Sequence, residues 1–181
     1  MRIDHPPASG FPGLTLRQLE TSDLDAWYAY LRLPHVVEHT SWNLGSRDDL
    51  LPFFDALAST SSDAIRRLAV IDDATGSLVG TVGFHTVSTA NRSAEIAYDL
   101  APSHWGKGIA RALCASVTQW AFGHQGWYRV QGVVLESNVR SAKVLDACGF
   151  RLEGRLRAYR MVRGAPGDFM MYARLASDPM A

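Results

Sequence analysis

The segment Glu95–Ala121, EIAYDLAPSHWGKGIARALCASVTQWA, decides the fold. Its first part alternates Ile96 and Tyr98 against Ala97 and Asp99, the pattern of a half-buried strand. A Pro-Ser-His break follows, and Gly106-Lys107-Gly108 then opens a helix. Ile109, Leu113, Val117 and Trp120 recur at helical spacing and define one apolar face. A helix start leaves several N–H groups without intrahelical acceptors, and the helix dipole adds positive potential there. Glycines let an anion approach the backbone, and Lys107 and Arg111 add charge beside it. This strand, turn and helix therefore predict a diphosphate site.

Two familiar phosphate motifs do not fit. A P-loop needs Ser or Thr after its lysine, whereas Gly108 follows Lys107. The dinucleotide fingerprint needs a third small residue where Arg111 stands. The run Trp105-Gly106-Lys107-Gly108-Ile109-Ala110 instead resembles the acetyl-CoA diphosphate loop of the GNAT N-acetyltransferases, Q/R-x-x-G-x-G/A. Trp105 replaces the Gln or Arg of that pattern. Asn138-Val139-Arg140-Ser141-Ala142-Lys143-Val144-Leu145, ending in Cys148-Gly149-Phe150, resembles the second cofactor-contacting helix of the branch that acetylates N-termini of ribosomal proteins and assorted small amines.

Outside these motifs, 181 residues suit one domain with a substantial core. A formal net charge of zero argues against a nucleic-acid or membrane-surface binder. Cys114 and Cys148 lack metal or redox spacing and read as reduced thiols in a cytoplasm. Residues 1–13 read as a loose leader, 14–176 as the folded domain and 177–181 as a tail. Strand-like runs at 14–19, 67–71 and 78–87 precede the Glu95 strand, with a helix at 24–31 and a second one capped by Ser46 and interrupted by Pro52. After the central helix come a strand at 128–135, a helix capped by Asn138 and closed by Gly149, and a hairpin at 150–175 that turns over 163–167.

The fold class is thus α/β (α+β). The resemblance implies one GNAT-type domain: a mixed, mostly antiparallel sheet with helices on both faces, splayed between its fourth and fifth strands. Pantetheine would pair with main-chain groups around Asp99, Leu100 and Ala101. The diphosphate would lie on Trp105, Gly106, Lys107, Gly108, Ile109, Ala110 and Arg111, with Asn138 a further cofactor contact. Acetyl-CoA is the implied cosubstrate and an amine the acceptor, with no metal, nucleic acid or membrane partner and a homodimer as a possible assembly.

Direct transfer needs a neutral amine and a proton for the departing thiolate. Freeing an α-amine (pKa about 7.7–8.0) of its proton at pH 7 costs ~1–1.4 kcal/mol, against ~4.6 for lysine. With no strong base in view, a protein N-terminal α-amine is the favoured acceptor, and a small amine such as an antibiotic or polyamine the alternative. Glu95, acting through a water, is the candidate base and His85 a rival for that role. Many relatives carry a tyrosine donor where this chain has Leu145, so the resemblance moves the role of serving the sulfur to Ser141. In the family the segment after the first helix walls the acceptor site, which brings His35, Glu38, His39 and Trp42 forward as substrate contacts, with His85 beside them. His35-Val-Val-Glu38-His39 also matches the inverted zinc-peptidase pattern, but Pro34 and the two valines disfavour the regular helix it needs. A CoA-binding module without turnover is the remaining alternative.

Overall fold

The computed structural model describes residues 3–179. Of the expected leader and tail, residues 1–2 and 180–181 lie outside the described residues. Seven strands form one sheet in the order β1-β2-β3-β4-β5-β7-β6. The strands are β1 (Leu14–Gln18), β2 (Arg66–Asp72), β3 (Leu78–Ser88), β4 (Ser93–Leu100), β5 (Arg129–Leu135), β6 (Arg151–Val162) and β7 (Ala165–Leu175). All neighbours are antiparallel except β4 and β5. The helices are α1 (Leu24–Leu31), the single turn α2 (Pro34–Val37), α3 (Leu51–Ala58), α4 (Ile109–Gly123) and α5 (Val139–Ala147).

Strand alternation divides the core between the two faces. Leu68 and Val70 of β2 join Val82, Ile96, Leu113 and Val117 under α4 and α5. Ala69, between them in sequence, faces the other way and packs with Leu24, Trp27, Leu31 and Phe54 of α1 and α3. That period of two is why β2 is buried on both faces. Complete burial of one such leucine stabilises the fold by about 1.5–3 kcal/mol.

Pro52 lies in the first turn of α3, where its missing N–H costs nothing, so the expected interruption is a late helix start. Ser46 caps the short 3-10 turn before it. Gly149, at φ 79°, closes α5 as expected. Two expectations change. The last turn is two residues, Arg163 and Gly164, both at positive φ, and not a loop over 163–167. Part of the expected leader is fastened to the domain: the Ser116 hydroxyl of α4 donates to the Ala8 carbonyl, and buried Ser9 donates to the carbonyl of Leu14 at 2.6 Å.

Candidate active site

β4 and β5 pair only at Ser93–Arg129, Ala94–Val130 and Glu95–Gln131. Beyond Glu95 the arms diverge, Ile96–Leu100 on one side and Gly132–Leu135 on the other. The wedge holds a cavity of about 380 Å³, lined by both arms and by His85, Trp42, Ser141 and Arg160. A Cβ on Gly132 would come within 2.9 Å of Leu145 Cδ1. A side chain here would force Leu145, buried at the bottom of the wedge, to shift, so Gly132 suits the close approach of α5 to β5.

Main-chain direction narrows one expectation. Ala101 N–H is spent on Val79 O at 2.8 Å. Antiparallel alternation then turns the amide of Asp99 towards β3 as well, and leaves those of Ile96, Tyr98 and Leu100 directed into the wedge. Among Asp99, Leu100 and Ala101, Leu100 is therefore the residue whose N–H faces the wedge. The Leu100 carbonyl already accepts the Trp105 indole N–H at 2.8 Å. Trp105, the odd residue of the loop, thus ties the loop to the end of β4, with Arg140 over its ring at 5.1 Å and His35 against its edge.

Gly106 (φ 74°) and Gly108 (φ 81°) are left-handed, and a Cβ at either meets nothing within 4 Å. The cradle is open, and Gly108 is the N-cap of α4. The N–H groups of Ile109, Ala110 and Arg111 form the first turn and have no intrahelical acceptor. Lys107 and Arg111 are exposed beside them. This surface fits a diphosphate, and the unpaired arms of the wedge fit the amides of pantetheine.

Two carboxylates four residues apart on β4 differ sharply. Asp99 accepts from Trp27 Nε1 at 3.1 Å, Arg67 at 2.6 Å, Thr81 Oγ1 at 2.8 Å and the Tyr30 hydroxyl. Glu95, 2% exposed, accepts from Arg160 at 3.1 Å and lies 3.4 Å from His85 Nε2. Burial raises the Glu95 carboxyl above its ordinary value, with Arg160 and Gln131 opposing. Burial, then Arg67 and Arg160, lowers His85 to about 4. His85 is neutral at pH 7, so its contact with Glu95 is not an ion pair.

Asn138 caps α5, its Oδ1 accepting from Ser141 N–H at 3.1 Å, and both residues line the cavity. The Ser141 hydroxyl is 2.9 Å from the Tyr98 hydroxyl. Burial raises the Tyr98 phenol well above 10, so it keeps its proton. Tyr98 and Arg160 escape sequence reasoning. The strand alternation marked Tyr98 only as apolar, and Arg160 lay within the hairpin at 150–175, which was read only as two strands and a turn.

The acceptor wall is only partly as expected. Trp42 lines the cavity and packs edge-on against Trp27 at 5.7 Å. His39 also lines it, with Nδ1 at 3.2 Å from Ser137 Oγ. Glu38 does not: its side chain is 65% exposed and outside the cavity lining. The exposed position at the end of α2 is the physical reason. Its carbonyl, with those of Val37 and Thr40, accepts from the Arg163 guanidinium at 2.6–3.2 Å. Arg163 N–H donates to Asn43 Oδ1 at 2.8 Å, so the β6–β7 tip is strapped to residues 37–43. His35 and His39 point to different partners, Trp105 and Ser137, and do not converge as metal ligands would. Among the described residues no group of three or more His, Cys, Asp or Glu could hold a metal ion. No helix among them is long and apolar enough to cross a membrane.

With this geometry in hand, known proteins offer a comparison. A family model described as an acetyltransferase (GNAT) domain matches residues 13–151. An uncharacterized N-acetyltransferase, p20, of Bacillus licheniformis is 30% identical over 169 residues, 91% of this chain and 94% of the relative. A ribosomal-protein-serine acetyltransferase of Escherichia coli strain K12 is 34% identical over 100 residues, 54% of this chain and 55% of the relative. The solved structure of a spermidine N-acetyltransferase from Vibrio cholerae, in complex with CoA and spermine, superposes with a TM-score of 0.80 at 27% identity. That match covers 92% of this chain and 98% of the other.

Proposed function

The chain belongs to the GNAT acetyltransferase family and is an acetyl-CoA-dependent N-acetyltransferase, and from that premise we propose that its acceptor is the α-amine of a protein N-terminus. One observation carries this choice over a polyamine. The cavity carboxylates, Glu95 and Asp99, each already hold an arginine, Arg160 and Arg67. A polycation would need negative charge to spare, and these two carboxylates have none. An α-amine, whose pKa of about 7.7–8.0 makes its proton cheap to remove at pH 7, carries one charge at most and needs only a modest base.

In this reading the diphosphate of acetyl-CoA lies on residues 105–111 and pantetheine enters the wedge. The Leu100 N–H polarises the thioester carbonyl. The amine nitrogen attacks the carbonyl carbon, the C–S bond breaks, and the amine's surplus proton passes through a water to Glu95. A carboxylate raised by burial is a better base than an ordinary one. The Ser141 hydroxyl, 2.9 Å from the protonated Tyr98 phenol, donates a hydrogen bond to the departing sulfur, and the proton taken up by Glu95 returns through water to the thiolate, so that the amide and free CoA leave. Neither buried cysteine lines the cavity, so the transfer is direct.

The likeness to the spermidine enzyme keeps a polyamine as the second reading. A transfer screen decides: free CoA is measured with acetyl-CoA and either N-terminal peptides, spermidine or an aminoglycoside. Peptide turnover at least tenfold above spermidine in kcat/KM is expected, and the reverse order replaces the proposal. Absence of turnover with every amine, alongside CoA binding, would make the chain a CoA-binding module. A cytoplasmic setting and a homodimer complete the reading, the second checked by sedimentation. The first is supported by the free thiols of Cys114 and Cys148.

A further inference from the structure

The β6–β7 hairpin is irregular where it meets the cavity. Leu156 pairs with Phe169, but the next pair is Arg160 with Gly167, so β6 carries extra residues over this interval. Ala158 within the bulge is left-handed, at φ 48°. The Asp168 carboxylate fixes it, accepting Ala158 N–H at 2.7 Å and Arg155 at 2.6 Å. A bulge re-aims the side chains after it. Here it sends Arg160 across β7 and β5 to Glu95 on β4, with its guanidinium over the rings of Tyr159 and Phe169.

Arginine has five N–H donors in a rigid fork. One terminal nitrogen of Arg160 binds Glu95, and its other donors have no protein partner among the described residues. The side chain is 31% exposed and lines the cavity beside the candidate base. A cation anchored there repels an ammonium but binds an oxygen. We propose that Arg160 is an acceptor-binding residue that holds the carbonyl oxygen next to the amine being acetylated, and so selects α-amines followed by a peptide carbonyl. The idea rests on the N-terminal acceptor reading and gives it a specificity determinant. Glu95 and Arg160, fixed to each other, then address the amine and its neighbouring carbonyl as one unit.

The test measures acetylation of three amines by the wild type, Arg160→Met and Arg160→Lys: a tetrapeptide beginning with alanine, the same peptide beginning with β-alanine, and spermidine. The β-alanyl peptide moves the carbonyl one methylene away. The wild type should favour the α-peptide over the β-peptide by roughly tenfold or more, the worth of a charge-assisted hydrogen bond. Arg160→Met should lose that preference through KM while calorimetry shows unchanged CoA affinity. Arg160→Lys should keep part of the preference, and it carries the test if Arg160→Met does not bind CoA. If the wild type acetylates neither peptide, the acceptor reading falls and this inference with it. If the wild type prefers the α-peptide and the Arg160 variants keep both KM and the preference, only the assignment of Arg160 is overturned. A pure counterion role would shift the acid limb of the pH profile equally for all three amines and leave their order intact, which also overturns it.

Discussion

The two ends of β4 each bury a carboxylate, yet they are built for opposite purposes. At Asp99 four side chains from α1, β2 and β3 donate to one carboxylate, and Arg67 neutralises it. Nothing there can move without stranding a buried group. At Glu95 burial is deeper, but the partners are sparse: one partly exposed arginine, a glutamine, and a neutral histidine. A satisfied carboxylate locks a fold, whereas an under-satisfied one facing a cavity keeps its protonation adjustable. Distance along a strand does not separate these roles; the number of donors does.

Asp99→Ala should give the largest effect. It leaves the buried Arg67 guanidinium uncompensated and should cost about 3–5 kcal/mol in denaturant unfolding. A loss below ~1 kcal/mol would erase the contrast. Glu95→Gln should do the opposite, changing stability by less than ~1 kcal/mol while lowering kcat by about 100-fold, read under saturating acetyl-CoA. The same variant sharpens the contrast through pH. Burial raises Glu95 above its unfolded value of ~4.3, so between those two values the native chain binds more protons than the unfolded one. Wild-type stability should therefore contain a component that falls as pH climbs through that interval and is constant above it. The rate should rise over the same interval, and Glu95→Gln should lack both slopes. Ser141→Ala should lower kcat about tenfold with CoA affinity retained, the effect of one lost hydrogen bond to a developing thiolate. Smallest, Tyr98→Phe should slow turnover by about threefold, since Ser141 keeps its own proton and loses only the hydroxyl partner behind it.

Much of this architecture was legible in the residues themselves. Periodicity marked the central helix, and Asn138 and Gly149 bounded α5, because caps depend on local backbone needs that one residue type satisfies. The glycines of the loop were legible for the same reason: positive φ is a local demand. Long-range geometry was not. Glu95 and Arg160 are 65 residues apart, and no local pattern announces that a bulge at Ala158 brings them together. Tyr98 and Ser141 are 43 residues apart, and they meet with α5 drawn close to β5 at Gly132. Asp99 was singled out for its main chain, while its side chain does the structural work that only tertiary packing reveals. Glu38 was chosen for its chemistry, which the loop turns outward to solvent.

The grip of Arg163 has a consequence for how the molecule could change its taste in amines. It grasps the carbonyl oxygens of Val37, Glu38 and Thr40, atoms that every amino acid possesses. The buckle is therefore indifferent to which residues are written at those positions. His39, whose side chain lines the cavity from this stretch, can be rewritten to greet new guests while the doorframe stays fastened, which makes it the natural place for selection, or an engineer, to begin.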